Sequence, residues 1–410
     1  MSRRVDPSTS TARAGLGRGD TGDGADLIAP LSLASVRAYA DLPSVDEAME
    51  GRNAYRRYGG GNPQRLEEAM IELETVPGRP APVARVSSSG QAALLLATTL
   101  VVTPSRPRVV VVRPCYGGTD SLLAGPLGNL GVRIATVDLP PDGDGEDHGA
   151  LVARVLGDDV SAVVTEVITN PLIGLIDVPA ISAAAHQSGA ACIVDSTFTP
   201  PFLFQPFAHG ADLVLHSLTK HLAGHSDVSG GILLVDSSHA AGDWLDSNAR
   251  LLGCTLSPFD AWLALRGLRT AGLRLERCSE NAAALAAFFA DRTELQAVYY
   301  PGSRGARDAA LAERLLPRGR GPMLSIDLRG GGTAADAFIR GLDGIRLAPS
   351  LGDVATTVSY PASTSHRALS PQQRAALGIG DGLVRISVGI EHIDDLKAEF
   401  AAALVAASAG

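Results

Sequence analysis

Cysteine, aromatic residues and positive charge are all scarce in this chain, and each shortage excludes something. The four cysteines (Cys115, Cys192, Cys254 and Cys278) are scattered through 410 residues. They form no metal-type pair and fit a reduced, cytoplasmic protein. Acidic side chains outnumber basic ones 44 to 35, for a formal charge of -9. That balance argues against nucleic acid or an anionic membrane surface as a partner. No apolar run reaches bilayer-spanning length. Arg3-Arg4 has no apolar segment behind it and so is no export signal, and Asp20, Asp23 and Asp26 weaken a transit-peptide reading. What the chain does have is 45% hydrophobic residues, enough for a large core and more than one domain.

The pattern divides the chain into three stretches. Residues 1–50 read as an N-terminal arm whose first 25 or so residues, rich in Ser, Thr, Gly, Arg and Asp, are expected to be disordered or extended. Residues 51–252 alternate apolar strands with helices. Strands are expected at 108–112, 132–138, 162–167, 191–195, 212–216 and 231–235. Helices are expected at 63–74, 91–101, 119–130, 150–156 and 178–188. Near-continuous apolar strands separated by helices predict a doubly wound, mostly parallel sheet covered on both faces. Residues 253–410 open with long Ala- and Leu-rich helices and continue into apolar segments at 323–328 and 383–388. This stretch reads as a smaller α+β domain closed by a helix at 392–407.

Several strand ends carry chemistry. The run Ala211-Asp212-Leu213-Val214-Leu215-His216-Ser217-Leu218-Thr219-Lys220 delivers a lysine where an apolar element stops. Desolvation there lowers its pKa and favours the neutral amine that attacks an aldehyde cofactor. Asp195 ends the preceding apolar run and supplies a carboxylate for a protonated pyridine nitrogen. Together they suggest a pyridoxal 5'-phosphate enzyme, although lysines after strands usually sit on the surface.

Ser89-Gly90-Gln91 opens a helix whose first amides suit a phosphate; such residues also serve as simple caps. Arg57, flanked by Tyr55 and Tyr58 and followed by three glycines, can clamp a phosphate bidentately, or be one of a solvated arginine pair. Tyr116, after Pro114-Cys115, can stack on a flat ring and move protons, or simply pack. Asn170 can bond a phenolate oxygen or only shape a turn. Arg385 interrupts an apolar strand and needs a partner: a substrate carboxylate, or an internal Asp or Glu.

Taken together, these motifs resemble the Cys/Met-metabolism PLP enzymes (the cystathionine γ-synthase, cystathionine γ-lyase and methionine γ-lyase group) from about Ala29 onward. The matching segments are Tyr55-Arg56-Arg57-Tyr58-Gly59, Ser89-Gly90-Gln91, Tyr116-Gly117-Gly118-Thr119, Glu166 to Pro171, Asp195-Ser196-Thr197-Phe198, Ser217-Leu218-Thr219-Lys220, Ser350-Leu351-Gly352 and Arg385 to Glu391. The resemblance implies PLP fold type I and a homotetramer built from two catalytic dimers that share their sites. It implies attachment of the cofactor to Lys220, with Asp195 as ring-nitrogen partner. Cofactor contacts would come from Gly90, Gln91, Asn170, Ser217 and Thr219, with Tyr55 and Arg57 from the other subunit. Ser350 and Arg385 would hold the carboxylate of a small amino-acid substrate.

Departures from the family pattern bear mainly on substrate. Gly60-Gly61 replaces the usual Asn-Pro, leaving that loop's path open. Asp120-Ser121 replaces a common Tyr-Arg, Pro349 stands where cystathionine-handling relatives carry Glu, and Gly118 stands where methionine γ-lyases usually carry Cys. The expected activity is γ-elimination on a small amino acid with a neutral thioether or halide leaving group, unusual substrates of specialised metabolism included. The alternative is γ-replacement by a thiol or carbon nucleophile.

Overall fold

The computed structural model describes residues 6–15, 27–140 and 147–409. Apolar residues dominate the strands of a seven-stranded sheet: β1 (Val83–Ser87), β2 (Arg108–Arg113), β3 (Arg133–Asp138), β4 (Val160–Glu166), β5 (Ala191–Asp195), β6 (Leu213–Ser217) and β7 (Gly231–Val235). Their order across the sheet is β1-β7-β6-β5-β4-β2-β3. Strands β2 to β6 run parallel, whereas β7 runs antiparallel to both β6 and β1. The period-two alternation explains why the strands read as continuous apolar runs. Val110 and Val112 of β2 enter one core, and Val109 and Val111 enter the core on the opposite face. Each such fully buried side chain contributes about 1.5–3 kcal/mol.

The expected strand segments are all present, shifted at some ends by one or two residues. Strand β1 was not foreseen, because Arg85 interrupts its apolar pattern. Arg85 is nonetheless buried, satisfied by Glu67 at 3.3 Å and by Asp246. A buried arginine is tolerable only with such partners, and they come from elements too distant in sequence to be anticipated. The helix expected over 119–130 is a short one, Gly117–Leu122, followed by a π-helical turn at Leu123–Leu127. Pro126 lies in that turn and offers no amide to a regular helix.

In the N-terminal stretch, Pro7–Ala12 forms a short helix rather than disordered chain, tied to the Gly61–Glu74 helix by Ser10 Oγ donating to Glu72 at 2.8 Å. The rest of that expectation, including Arg3, Arg4, Asp20, Asp23 and Asp26, falls outside the described residues.

A second sheet of five strands follows: β8 (Leu295–Tyr299), β9 (Met323–Leu328), β10 (Arg346–Leu347), β11 (Thr357–Ser359) and β12 (Leu383–Ser387), ordered β10-β11-β12-β9-β8. The 20-residue helix Ala271–Ala290 buries Leu285 and Phe289 against it, and the closing helix Ile393–Ala409 adds Phe400 and Leu404. The architecture is α/β, with a mixed central sheet and a smaller second sheet.

Candidate active site

In an open sheet with parallel strands, ligands gather where the strands end. Here β4, β5 and β6 finish at Glu166, Asp195 and Ser217, and β1 runs parallel to β6 and leads to Ser89-Gly90 at the same edge. All the candidate residues except Tyr55 and Arg57 line one cavity of about 610 Å³ at that edge. Close approach of the β1–helix junction to β7 depends on Gly231, where a Cβ would lie 2.1 Å from the Ser89 carbonyl oxygen.

Ser89 caps the Gly90–Val101 helix by accepting from the Ala92 amide at 3.1 Å, and the first helical bond runs from Ala93 to the Ser89 carbonyl. The amides of Gly90 and Gln91 precede that bond and face a positive dipole end, which suits an anion. Gln91 Oε1 is buried without a hydrogen-bond partner among the described residues.

The chain contains two lysines, and Lys397 sits on the closing helix. Lys220 enters the cavity and donates to Ser350 Oγ at 2.8 Å. Burial, and then the nearby Arg385 guanidinium, lower its pKa to about 8. The predicted desolvation is therefore present, and the scarcity of lysine was a further signal for this residue.

Asp195 accepts from the Thr197 amide at 3.0 Å, and Thr197 Oγ1 in turn accepts from the Ser217 amide at 2.9 Å. Burial pushes the Asp195 pKa upward, opposed by the Thr197 hydrogen bonds and the nearby His216. Thr219 Oγ1 accepts from the Gly230 amide at 3.0 Å and fixes the turn leading to Lys220.

Arg385 is buried on β12 and has no carboxylate at ion-pair distance among the described residues. It donates to Asn170 Oδ1 at 2.9 Å and to the Ser350 carbonyl at 3.1 Å. Burial lowers its pKa to about 10, within the range where it remains a cation at neutral pH. The internal Asp or Glu partner allowed by the sequence is thus not the arrangement found.

Tyr116 sits at the cavity mouth, its backbone amide donating to Glu166 Oε1 at 2.7 Å. Glu166 was quoted only as part of a motif, yet it lines the cavity, and its other oxygen has no partner among the described residues. The turn at Ser363, Thr364 and Ser365 also forms part of the wall. Neither feature follows from local patterning, since the turn lies about 250 residues from Tyr116.

Tyr55 and Arg57 lie away from this cavity. Arg57 donates to the Arg250 carbonyl at 2.9 Å and packs over the Tyr55 and Tyr58 rings at 5.6 and 5.2 Å. Beside them, Gly59, Gly60 and Gly61 have φ values of 123°, 84° and 59°, so this version of the loop needs glycines. The Gly61–Glu74 helix begins directly afterward.

The cavity thus combines an amine of lowered pKa, a buried carboxylate, a helix start suited to phosphate and a buried arginine suited to a carboxylate. This donor set fits pyridoxal phosphate. A model of Cys/Met metabolism PLP-dependent enzymes matches residues 9–405. Cystathionine gamma-lyase of Bacillus subtilis is 37% identical over 345 residues, covering 84% of this chain and 86% of that protein. O-succinylhomoserine sulfhydrylase of Pseudomonas aeruginosa is 35% identical over 401 residues, covering 97% and 95%. The structure of cystathionine gamma synthase from Xanthomonas oryzae pv. oryzae in complex with cystathionine superposes with a TM-score of 0.88 at 35% identity, covering 99% of this chain and all of that one. The chain belongs to the Cys/Met-metabolism family of enzymes that depend on pyridoxal phosphate and share its type I fold.

Proposed function

We propose that this enzyme catalyses γ-elimination on a small γ-substituted L-amino acid whose leaving group is a neutral thioether or halide. The observation that carries this reading is the cavity's charge inventory. Besides Glu166, Asp195, Lys220 and Arg385, its lining is uncharged, with Pro349 beside the substrate-binding Ser350. A charged distal group would lose hydration there without a partner.

Bound pyridoxal phosphate supplies the electron sink that makes the substrate's Cα proton removable. Asp195 holds the ring nitrogen's proton, while Gly90, Gln91, Ser217 and Thr219 bind the phosphate, and Asn170 orients the ring's oxygen. Arg385 and Ser350 hold the substrate carboxylate. As a free amine Lys220 would take the Cα proton and, once that proton has been passed on, would serve Cβ as base, assisted by the Tyr116 phenol. Tyr55 and Arg57 reach the phosphate of a neighbouring subunit, in a cytoplasmic homotetramer of two catalytic dimers. Their position outside this chain's own cavity supports that sharing.

A second reading is γ-replacement. The similarity to a sulfhydrylase and to a cystathionine gamma synthase favours it, and a 610 Å³ cavity leaves volume for a nucleophile beside a small substrate. The decisive assay incubates the enzyme with a panel of γ-substituted amino acids and measures ammonia and 2-oxo acid. Release without added nucleophile supports elimination; product only with a thiol present transfers the assignment to replacement.

A further inference from the structure

Behind Asp195 lies a fully buried pair that the reaction as described leaves unused. Glu74, the last residue of the Gly61–Glu74 helix, and His216 of β6 both have completely inaccessible side chains. His216 Nε2 lies 2.6 Å from Glu74 Oε1, and Nδ1 lies 3.1 Å from the Ser196 carbonyl oxygen. A carbonyl can only accept, so Nδ1 carries a hydrogen. One further proton is then shared between Nε2 and the Glu74 carboxyl.

Imidazole ordinarily binds a proton more tightly than a carboxylate does. Asp195 gives this preference a direction. It pairs with Leu215, the neighbour of His216, and the Ser196–Thr197 peptide whose carbonyl is held by Nδ1 donates its amide to Asp195 at 3.0 Å. A positive imidazole would draw on that peptide from the opposite face of the sheet, whereas Glu166 stands in register with Asp195 on β4. We infer that Glu74 and His216 form a buried carboxylate–imidazolium pair that keeps Asp195 anionic for the cofactor's ring nitrogen, making both of them positioning residues. This rests on the reading of Asp195 as the ring-nitrogen partner.

Glutamine at position 74 separates the two possible proton placements. Its amide can donate to Nε2, leaving His216 neutral with the geometry kept, so the positive charge is lost. If the proton belonged to Glu74, the pair would already be neutral and the change would be silent.

The test reconstitutes wild-type, Glu74→Gln and Asp195→Asn enzymes with cofactor labelled at the ring nitrogen and records its resonance. In the wild type the nitrogen is expected to be protonated. In Glu74→Gln the resonance moves toward the unprotonated position and kcat falls about tenfold at nearly unchanged KM, as one unit in the proton affinity of Asp195 would give. Cofactor methylated at the ring nitrogen needs no proton there and is expected to remove the difference between Glu74→Gln and wild type. A wild-type resonance in Glu74→Gln would overturn the inference. If Asp195→Asn also left the resonance unchanged, the reading of Asp195 would fail with it; a shift in Asp195→Asn alone would sink only the inference.

A second measurement needs no variant. In wild-type enzyme labelled at histidine nitrogens, His216 is expected to show two protonated ring nitrogens in solid-state spectra. A single protonated nitrogen would overturn the inference.

Discussion

Glu166 and Asp195 stand in register at the ends of the adjacent strands β4 and β5, two buried carboxyls side by side in one cavity wall. Burial raises the pKa of both, and the like charge of Asp195 raises that of Glu166 further. Asp195 has Thr197 and the nearby His216 to stabilise its anion. Glu166 is pushed well above the usual carboxylate range, and we assign the proton to it. Glu166→Gln, which mimics a neutral carboxyl, is therefore expected to keep kcat/KM within about threefold of wild type, while Glu166→Ala, which frees the Tyr116 amide, loses about tenfold, the cost of one unsatisfied buried donor. Steady-state kinetics of the two variants check this.

Lys220 is the residue proposed to capture the cofactor. With its pKa near 8, the amine is mostly ammonium below that pH and mostly free above it. Reconstitution of the apoenzyme should therefore accelerate as pH rises and level off above about 8, followed by the appearance of yellow absorbance. Lys220→Ala should abolish turnover entirely.

Arg385 offers two-pronged geometry that lysine cannot reproduce. Arg385→Lys should raise KM roughly ten- to hundredfold through the loss of charge-assisted hydrogen bonds, with a smaller change in kcat. An unchanged KM would place the substrate carboxylate elsewhere.

Arg57 is predicted to serve the neighbouring subunit. Arg57→Ala and Lys220→Ala should each be nearly inactive alone. After unfolding and joint refolding, about a quarter of wild-type sites should be intact, because half the dimers are mixed and each mixed dimer has one complete site. Failure of the mixture to gain activity would count against a shared site.

Pro349 lines the cavity beside Ser350, where the proposed substrate's distal end would lie. Pro349→Glu introduces an anion into a neutral wall, so turnover of cystathionine, whose distal end carries an ammonium, should rise relative to that of a thioether substrate. Competition assays between the two substrates measure the change.

How much of this was written locally can be judged from Asp195 and Lys220. Each follows an apolar strand, and a strand's pattern fixes both its identity and its end, so their chemistry was legible in order along the chain. The helix start at Gly90 and the buried strand around Arg385 were legible for the same reason. Strand β1 was not, because the charge of Arg85 hides the pattern until Glu67 and Asp246 arrive from other elements.

Periodicity and turn chemistry thus decided which elements form and which reactive side chains end them. Folding decided which of those ends meet. Ser350 reaches Lys220 across 130 residues, Arg385 reaches Asn170 across 215, and Glu74 reaches His216 across 142. Contacts of that separation depend on strand order and on the seating of the second sheet, which no local repeat encodes, and burial at Lys220 and Arg385 is what lowers their proton affinities.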